Sequence, residues 1–309
     1  MKILQILVLL SSLVFAKVSS NIVIVSITDD TLQKYGYSLS REVYANFINA
    51  IYKHYDPKVV SIDITIDLPN KADPKGDKKL FEAVKGKTNL IFAGLLSSFK
   101  INHQKYQPIQ IDPKQIKYDI RKRLGAFLPL DDLFANGVYS GIFNASRRKD
   151  NYTVSFPFVY NIDGHYYPSL LLQNLLLYNN IYLDEFVLTQ DTFNSSFLRI
   201  DYLFWGEVKP KLDYEFAHYS YEDILEHKAD NKMVDGKIVL FDINATGVGH
   251  LFMLEEHSSV YSVEYLANVI ETALQNEVLV EDFSFYIYGF LFMLFLIIGS
   301  IIYFFKKRK

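Results

Sequence analysis

Residues 21–30 read Asn-Ile-Val-Ile-Val-Ser-Ile-Thr-Asp-Asp, and this stretch decides the fold class. Its apolar residues run almost without interruption from Ile22 to Ile27, whereas a half-buried strand would alternate apolar and polar residues. A continuous apolar run predicts a strand covered on both faces, which is typical of a parallel sheet between layers of helices. The acidic pair Asp29 and Asp30 marks the end of that strand.

A helix and a second strand follow the first strand. Ser40 is a suitable N-cap, and Pro57 ends the predicted helix. Between them, apolar residues recur at every fourth position: Val43, Phe47, Ile51 and Tyr55. Residues 59–64 form a second apolar run that includes Asp63. A strand, helix, strand unit predicts a parallel pair with a right-handed crossover, so the first two strands are expected to lie side by side.

The rest of the chain continues to alternate strands and helices. Further strands are predicted at residues 90–93, 138–143, 153–160, 197–204 and 237–242. Further helices are predicted at residues 79–84, 168–177 and 219–226, with a last helix of about 14 residues around 263–273. Residues 100–123 and 189–196 are interpreted as loops. The sequence therefore predicts one α/β domain, built on a single mixed, largely parallel sheet flanked by helices.

Both ends of the chain indicate a membrane protein. Residues 283–305 are rich in Phe, Leu and Ile and contain no charged residue, which predicts a C-terminal transmembrane helix. The basic residues 306–309 after it predict a cytoplasmic tail, because positive flanks stay in the cytoplasm. Residues 1–16 predict a cleaved signal peptide, with an uncleaved anchor as the alternative. Either way, residues 17–282 are expected to lie outside the cytoplasm.

The composition of this domain excludes some classes of partner and indicates the type of cell it comes from. Residues 17–282 hold 27 basic and all 35 acidic residues, a formal charge of −8, which argues against nucleic acid or an anionic lipid surface as a partner. The chain has no cysteine, so disulfides, a thiol nucleophile and thiolate metal sites are excluded. An exported domain without disulfides is more typical of bacteria. We therefore expect a single-pass protein of the bacterial inner membrane with a periplasmic domain.

An ordered set of short motifs spans residues 22–276, and each motif is weak on its own. The members are Ile27 to Asp30, Arg41, Val59 to Asp63, Asp77 with Leu80, Pro168 with Ser169, Gly236 to Val239, Ala245 with Thr246, and Val263, Glu264, Ala267 and Asn268. In this order they resemble the CHASE2-type extracellular sensor domain family of bacterial membrane receptors. The resemblance implies a sensory module.

The chain departs from that family pattern at several positions. Asp242 stands where the family usually has Gly, and His250 stands where it usually has Asp. Ser262 and Leu266 replace the usual Gly and His. The typical receptor also continues through several membrane helices into a cyclase or kinase, whereas this sequence ends after one predicted helix. The resemblance therefore implies sensing without an output domain of its own, and signalling through a separate partner.

Charged residues at the strand ends form the candidate site. Asp29, Asp30 and Asp63 are expected at the carboxyl ends of adjacent strands, the edge where α/β sheets bind ligands. Arg41, at the start of the first predicted helix, is a possible partner for one of these carboxylates. The cluster indicates a site for a polar ligand or a divalent cation. The alternative is a structural ion pair that holds a loop to the sheet.

Two further candidates complete the site. Thr246 lies in the glycine-containing loop 245–249, which either presents backbone N–H groups to an anion or forms a tight turn. Glu264 is included because the resemblance contains it. The candidate ligand-binding residues are therefore Asp29, Asp30, Arg41, Asp63, Thr246 and Glu264.

Metal and catalytic signatures are weak by comparison. A second group (His250, Glu255, Glu256 and His257) lacks the spacing of a zinc signature and is interpreted as a solvated loop. No nucleophile elbow or other catalytic spacing is present. We therefore predict no metal, no cofactor and no enzymatic activity.

Three hypotheses for the function remain. The first is a periplasmic sensory module that binds a small ligand or a periplasmic protein and is held in the membrane by one helix. The second is a scaffolding protein of the cell envelope that reuses the fold for protein contacts. The third is an extracytoplasmic hydrolase that uses the carboxylate cluster.

Overall fold

The computed structural model describes residues 17–101, 110–147, 152–201, 205–254 and 258–277. The predicted signal peptide, transmembrane helix and basic tail lie outside these residues. Within the described ranges, no helix has the length and apolar character needed to cross a membrane.

The helices alternate with strands along the chain, as the sequence predicts. The helices are α1 (Asp29–Tyr35), α2 (Arg41–His54), α3 (Pro74–Val84), α4 (Asp131–Ala135), α5 (Leu170–Asn179), α6 (Tyr221–Leu225), α7 (Asn231–Val234) and α8 (Ser262–Leu274). A short 3₁₀ helix covers Pro113–Gln115. The strands of the first half are β1 (Lys17–Ile27), β2 (Val59–Ile62), β3 (Leu90–Ser97), β4 (Lys122–Arg123), β5 (Gly125–Phe127), β6 (Tyr139–Ile142), β7 (Ser146–Arg147), β8 (Thr153–Pro157) and β9 (Val159–Ile162). Those of the second half are β10 (His165–Pro168), β11 (Phe186–Leu188), β12 (Thr192–Ser195), β13 (Arg199–Asp201), β14 (Glu207–Val208), β15 (Tyr214–Ser220), β16 (Ile238–Ile243), β17 (Leu251–Met253) and β18 (Ser259–Tyr261).

A seven-stranded sheet organises the domain. Its strand order is β15-β1-β16-β2-β3-β5, and β6 also pairs with β3. Every pairing is parallel except that of β3 with β5. The predicted mixed, largely parallel sheet with flanking helices is therefore confirmed. Small two- and three-stranded sheets, built from the remaining strands, lie beside it.

The expectation that the first two strands are neighbours is wrong. β16 lies between β1 and β2, with Ser26 opposite Asp242 on one side and Ile62 opposite Phe241 on the other. A crossover fixes the direction of two strands but leaves room for a third strand between them. Asp63 therefore lies beside a strand from the end of the domain and not beside β1.

Helices cover both faces of the central sheet. On one face, Val23, Val25 and Phe241 pack with residues of α2, α3 and α6. On the other, Ile24 and Leu240 pack with residues of α5 and α8. All positions of β1 from 22 to 27 are buried, which explains its continuous apolar sequence. Burial of each such aliphatic side chain contributes about 1.5–3 kcal/mol to stability.

Several local features of the structure differ from the predictions, and residues 100–123, interpreted as a loop, contain the 3₁₀ helix and β4. α3 begins at Pro74 and not at residue 79, because the Asp73 side chain accepts a hydrogen bond from the Gly76 N–H and Pro fits the first helical turn. The predicted loop 189–196 contains β12, which pairs on both sides with β11 and β13. The edge strand β15 was not predicted, because its mixed polar and aromatic sequence lacks clear alternation.

Candidate functional site at the carboxyl edge of the sheet

Asp29 and Thr246 meet at the carboxyl ends of β1 and β16. The Asp29 carboxylate accepts hydrogen bonds from the Thr246 backbone N–H and from its hydroxyl group, both at 2.9 Å. α1 begins at Asp29 because Thr28 and Thr31 form a capping box around the first turn. The exposed contact thus joins the start of α1 to the loop that follows β16.

The loop 245–249 forms a tight turn and not an open anion cradle. The N–H groups of Val248 and Gly249 both donate to the Ala245 carbonyl oxygen, at 3.2 and 2.8 Å. The N–H of Thr246 is already bonded to Asp29. Few backbone donors are left to point at an anion, so the structure favours the turn over the anion site.

Arg41 does not pair with any of the three carboxylates suggested by the sequence. Its guanidinium donates to Asp77 of α3 and to the Leu68 carbonyl oxygen. The Asp77 carboxylate also accepts from the Asn70 N–H at 2.7 Å. Arg41 and Asp77 are both largely buried, with side chains 14% and 9% exposed. This ion pair ties α2 to α3 and the loop before it, which is the structural role that the sequence left open.

Asp63 meets two residues that sequence reasoning did not select. The hydroxyl oxygen of Ser262, at the start of α8, lies 3.2 Å from an Asp63 carboxyl oxygen and 3.0 Å from one of Asp242. Asp242 is buried, 5% exposed, and Asp63 is partly buried. We call Asp63 and Asp242, joined by the Ser262 hydroxyl, the carboxylate pair.

The geometry of the carboxylate pair favours a proton on one of the two acids. A serine hydroxyl has one hydrogen and can donate to only one of the two carboxyl groups. The second contact is a hydrogen bond only if that carboxyl is protonated and donates to the Ser262 oxygen. Backbone N–H groups of Ile243 and Val263 bond to Asp242 and favour its ionised form. Asp63 is therefore assigned the proton.

Burial raises the pKa of both acids. Desolvation raises the pKa of Asp63 well above its usual range, and the neighbouring Asp242 raises it further. Desolvation raises the pKa of Asp242 to about 6, although hydrogen bonds from Ile243, Ser262 and Val263 oppose the shift. Two carboxyl groups held this close titrate as a pair, so one proton is retained at mildly acidic pH.

The carboxylate pair also explains why α8 starts where it does. The N-cap of α8 is Tyr261, which provides no side-chain hydrogen bond. Asp242 supplies the missing acceptor from the sheet, because it bonds the Val263 N–H and the Ser262 hydroxyl. Ser26 faces this group as the register partner of Asp242, and its buried hydroxyl has no hydrogen-bond partner among the described residues.

The remaining candidates lie apart from these contacts. Asp30 is exposed on α1, and Glu264 is partly buried in the first turn of α8. Of the proposed histidine and glutamate group, residues 255–257 lie outside the described residues. Among the residues that are described, no group of three or more His, Cys, Asp or Glu side chains is placed to hold a metal ion.

A signal for the two missed residues was present in the sequence. Asp242 and Ser262 are both positions at which the chain departs from the family pattern, and the structure places them 3.0 Å apart. Both are polar residues where the family usually has glycine, so the departures marked the two positions without showing that they meet. What the sequence did not reveal was the insertion of β16 beside β2, which brings Asp63 to the same place.

The family comparison agrees with the fold. The model of the CHASE2 domain matches residues 3–301, and the chain therefore belongs to the CHASE2 domain family, a family of extracellular sensory domains. No curated protein and no solved structure matches this chain.

Proposed function

We propose that this protein is a periplasmic sensory module, held in the bacterial inner membrane by one C-terminal helix, that signals through a separate partner protein. Membership of the CHASE2 family is the observation that carries the proposal. The family match also supports an extracytoplasmic location, because CHASE2 domains are extracellular sensory domains. In this proposal the partner carries the output activity.

The two ends of the described domain lie together, which supports anchoring at one edge. The Lys17 ammonium group lies 2.6 Å from a Glu277 carboxylate oxygen. The Lys211 ammonium and the Tyr214 hydroxyl also donate to Glu277, each at 3.0 Å. These hydrogen bonds, Lys17 first, lower the pKa of Glu277 to about 2, so it stays ionised. We call Lys17, Lys211, Tyr214 and Glu277 the terminal clasp.

α8 connects the candidate site to the terminal clasp. Its first residue, Ser262, bridges the carboxylate pair, and Glu277 follows three residues after its last residue, Leu274. A helix of 13 residues spans about 20 Å. A change at the carboxyl edge that moves the start of α8 would therefore reach the end of the domain from which the predicted membrane helix departs.

We propose a non-enzymatic role for this edge. In the described residues, the Ser262 hydroxyl is bonded to two carboxyl groups and to no imidazole, so it lacks the base that activates a serine nucleophile. The arrangement is suited to holding a proton and a helix start.

Crosslinking in intact cells tests the signalling role. A photoreactive amino acid placed at exposed positions of the domain should capture a partner that carries an envelope or cytoplasmic output domain. A chain that captures no such partner from any exposed position contradicts the proposal.

The scaffolding alternative makes a different prediction. A sensory module binds a small ligand in its native state, and such a ligand raises the melting temperature of the full chain in a thermal-shift screen. A scaffold would capture structural envelope proteins and show no stabilisation by small molecules.

A further inference from the structure

A pocket separate from the carboxylate pair lies between the central sheet and the small sheets. It has a volume of about 200 Å³ and lies near the ends of β3 and β6, where Leu96 and Asn144 line it. The Leu96 N–H donates to the Asn144 side-chain oxygen at 2.6 Å, which fixes this wall. The charged and aromatic lining residues are Tyr118, Asp119, Arg121, Arg123, Tyr160, Trp205 and Glu207.

One side of the pocket has a net positive charge, because Arg121 and Arg123 outnumber the single carboxylate of Asp119 on the same segment. Alternate residues of an extended segment point to opposite sides, and β4 follows this rule. Lys122 points away from the pocket and pairs with Asp163 at 2.8 Å, whereas Arg121 and Arg123 both line it. Among the described residues, neither of these guanidinium groups forms an ion pair. Two bidentate donors are therefore available to a carboxylate.

Glu207 of β14 supplies a negative charge to the pocket. The Ser146 hydroxyl donates to one of its oxygens at 2.6 Å, and the Ser155 hydroxyl donates to the other. Hydroxyl groups orient the carboxylate but do not neutralise its charge. A doubly negative ligand such as phosphate would be repelled by Glu207, whereas an ammonium group would be attracted.

Aromatic rings form the remaining walls. Gly206 has a φ of +70°, and a Cβ at this position would lie 1.8 Å from the Tyr118 hydroxyl oxygen, so only glycine leaves space for that ring. Burial, followed by the charge of Glu207, raises the pKa of both Tyr118 and Tyr160. Both tyrosines are therefore neutral and offer an apolar face, and the Tyr160 hydroxyl already donates to the Asn144 carbonyl oxygen.

We propose that this pocket binds a small zwitterion of the amino-acid class. Its carboxylate would bind Arg121 and Arg123, its ammonium group would bind Glu207, and its side chain would contact Tyr118, Tyr160 and Trp205. The assignment rests on the proposed sensory function, because it names the chemical class of the sensed ligand.

The pocket also has a link to α8. Tyr265 of this helix is 1% exposed, and its hydroxyl has no hydrogen-bond partner among the described residues. Burial, followed by the charge of Glu207, raises the pKa of Tyr265. A ligand that binds Glu207 changes the electrostatic surroundings of a buried residue on the helix that leads to the terminal clasp.

Binding to the full chain in detergent tests the proposal. The standard L-amino acids are screened by thermal shift, and the affinity of each positive is measured by titration calorimetry. For the best ligand, the deaminated acid and the decarboxylated amine should each bind about 10- to 100-fold more weakly, because each lacks one charge-assisted contact. Arg123→Gln and Glu207→Gln should weaken the zwitterion by a similar factor.

Two further variants keep the result interpretable. Arg199→Gln is the matched control, because Arg199 is exposed, pairs with Asp201 and is not part of the pocket lining. It should leave the affinity unchanged. If Glu207→Gln fails to fold because one of the two hydroxyl groups, of Ser146 or Ser155, loses its acceptor, Arg121→Gln supplies the second test on an exposed residue.

Three results would overturn the assignment. They are no binding of any amino acid at millimolar concentration, equal binding of the deaminated acid, and full affinity in Arg123→Gln. Any of these leaves the crosslinking test of the proposed function unaffected. Conversely, zwitterion binding without a captured partner would support the ligand assigned to the pocket and contradict signalling through a partner.

Discussion

At the scale of single residues, the carboxylate pair makes the stability of the domain depend on pH. Both acids have folded-state pKa values above the ordinary value of 3.8. The folded protein therefore binds more protons than the unfolded chain above that pH. The free energy of unfolding therefore falls as the pH rises above 3.8. The stabilisation that the pair provides is complete below pH 3.8 and is lost as the pH rises through about 6 and above.

Asp63→Asn tests which acid holds the proton. The amide is neutral and can donate to the Ser262 oxygen, as the protonated carboxyl does. We expect the variant to match the wild type near pH 4 and to be more stable at pH 8 by about 1–3 kcal/mol, because a buried second charge no longer forms. Urea denaturation across this pH range measures the difference.

Asp29→Asn is the control for that measurement, because Asp29 lies at the same edge but is exposed. Its pH profile should follow that of the wild type. Parallel profiles for Asp63→Asn and the wild type would show that the pair does not hold an extra proton.

At the scale of elements, a close contact between β6 and the start of α5 depends on one glycine. A Cβ on Gly141 would lie 2.5 Å from the Leu170 Cα and 2.8 Å from its backbone N. Both are backbone atoms of the first helical residue, so they cannot move as a side chain does. We expect Gly141→Ala to lower the free energy of unfolding by about 1–3 kcal/mol, measured by urea denaturation.

The neighbouring Ser140 provides the control for this prediction. Its hydroxyl is buried and has no hydrogen-bond partner among the described residues. Ser140→Ala removes an unpaired polar group and should be close to neutral. Equal stability of Gly141→Ala and Ser140→Ala would contradict the close approach of the two elements.

The ion pair between α2 and α3 gives a second prediction at this scale. Arg41→Met leaves Asp77 largely buried without a cation, and we expect a loss on the order of 3 kcal/mol in the free energy of unfolding. The double variant Arg41→Met with Asp77→Leu removes both charges and should recover most of that loss. If the double variant is as unstable as the single one, the pair is not what couples the two helices.

The apolar patterns along the chain predict many of the strands and helices of this fold, but they do not predict which strands are neighbours in the sheet. The apolar run at β1 and the four-residue period of α2 predict these elements because burial on one or two faces leaves a local pattern. The place of β16 between β1 and β2 depends on contacts more than 170 residues apart in sequence, for example Ile22 with Ile238. The carboxylate pair could not be predicted for the same reason, whereas the contact of Asp29 with Thr246 joins two residues already selected from the sequence.

At the scale of the whole molecule, the absence of cysteine allows a direct test of the proposed topology. A single introduced cysteine is the only thiol in the chain. Tyr37 is 72% exposed, so Tyr37→Cys should be modified by a membrane-impermeant maleimide in spheroplasts without lysis. Lys309→Cys, in the predicted cytoplasmic tail, should react only after the membrane is permeabilised, because charged tails with this flank remain inside. The wild-type chain gives the unlabelled background. In the reverse pattern, Lys309→Cys is labelled in intact spheroplasts and Tyr37→Cys is protected. That result would show the opposite orientation in the membrane and would contradict a role as a periplasmic sensor.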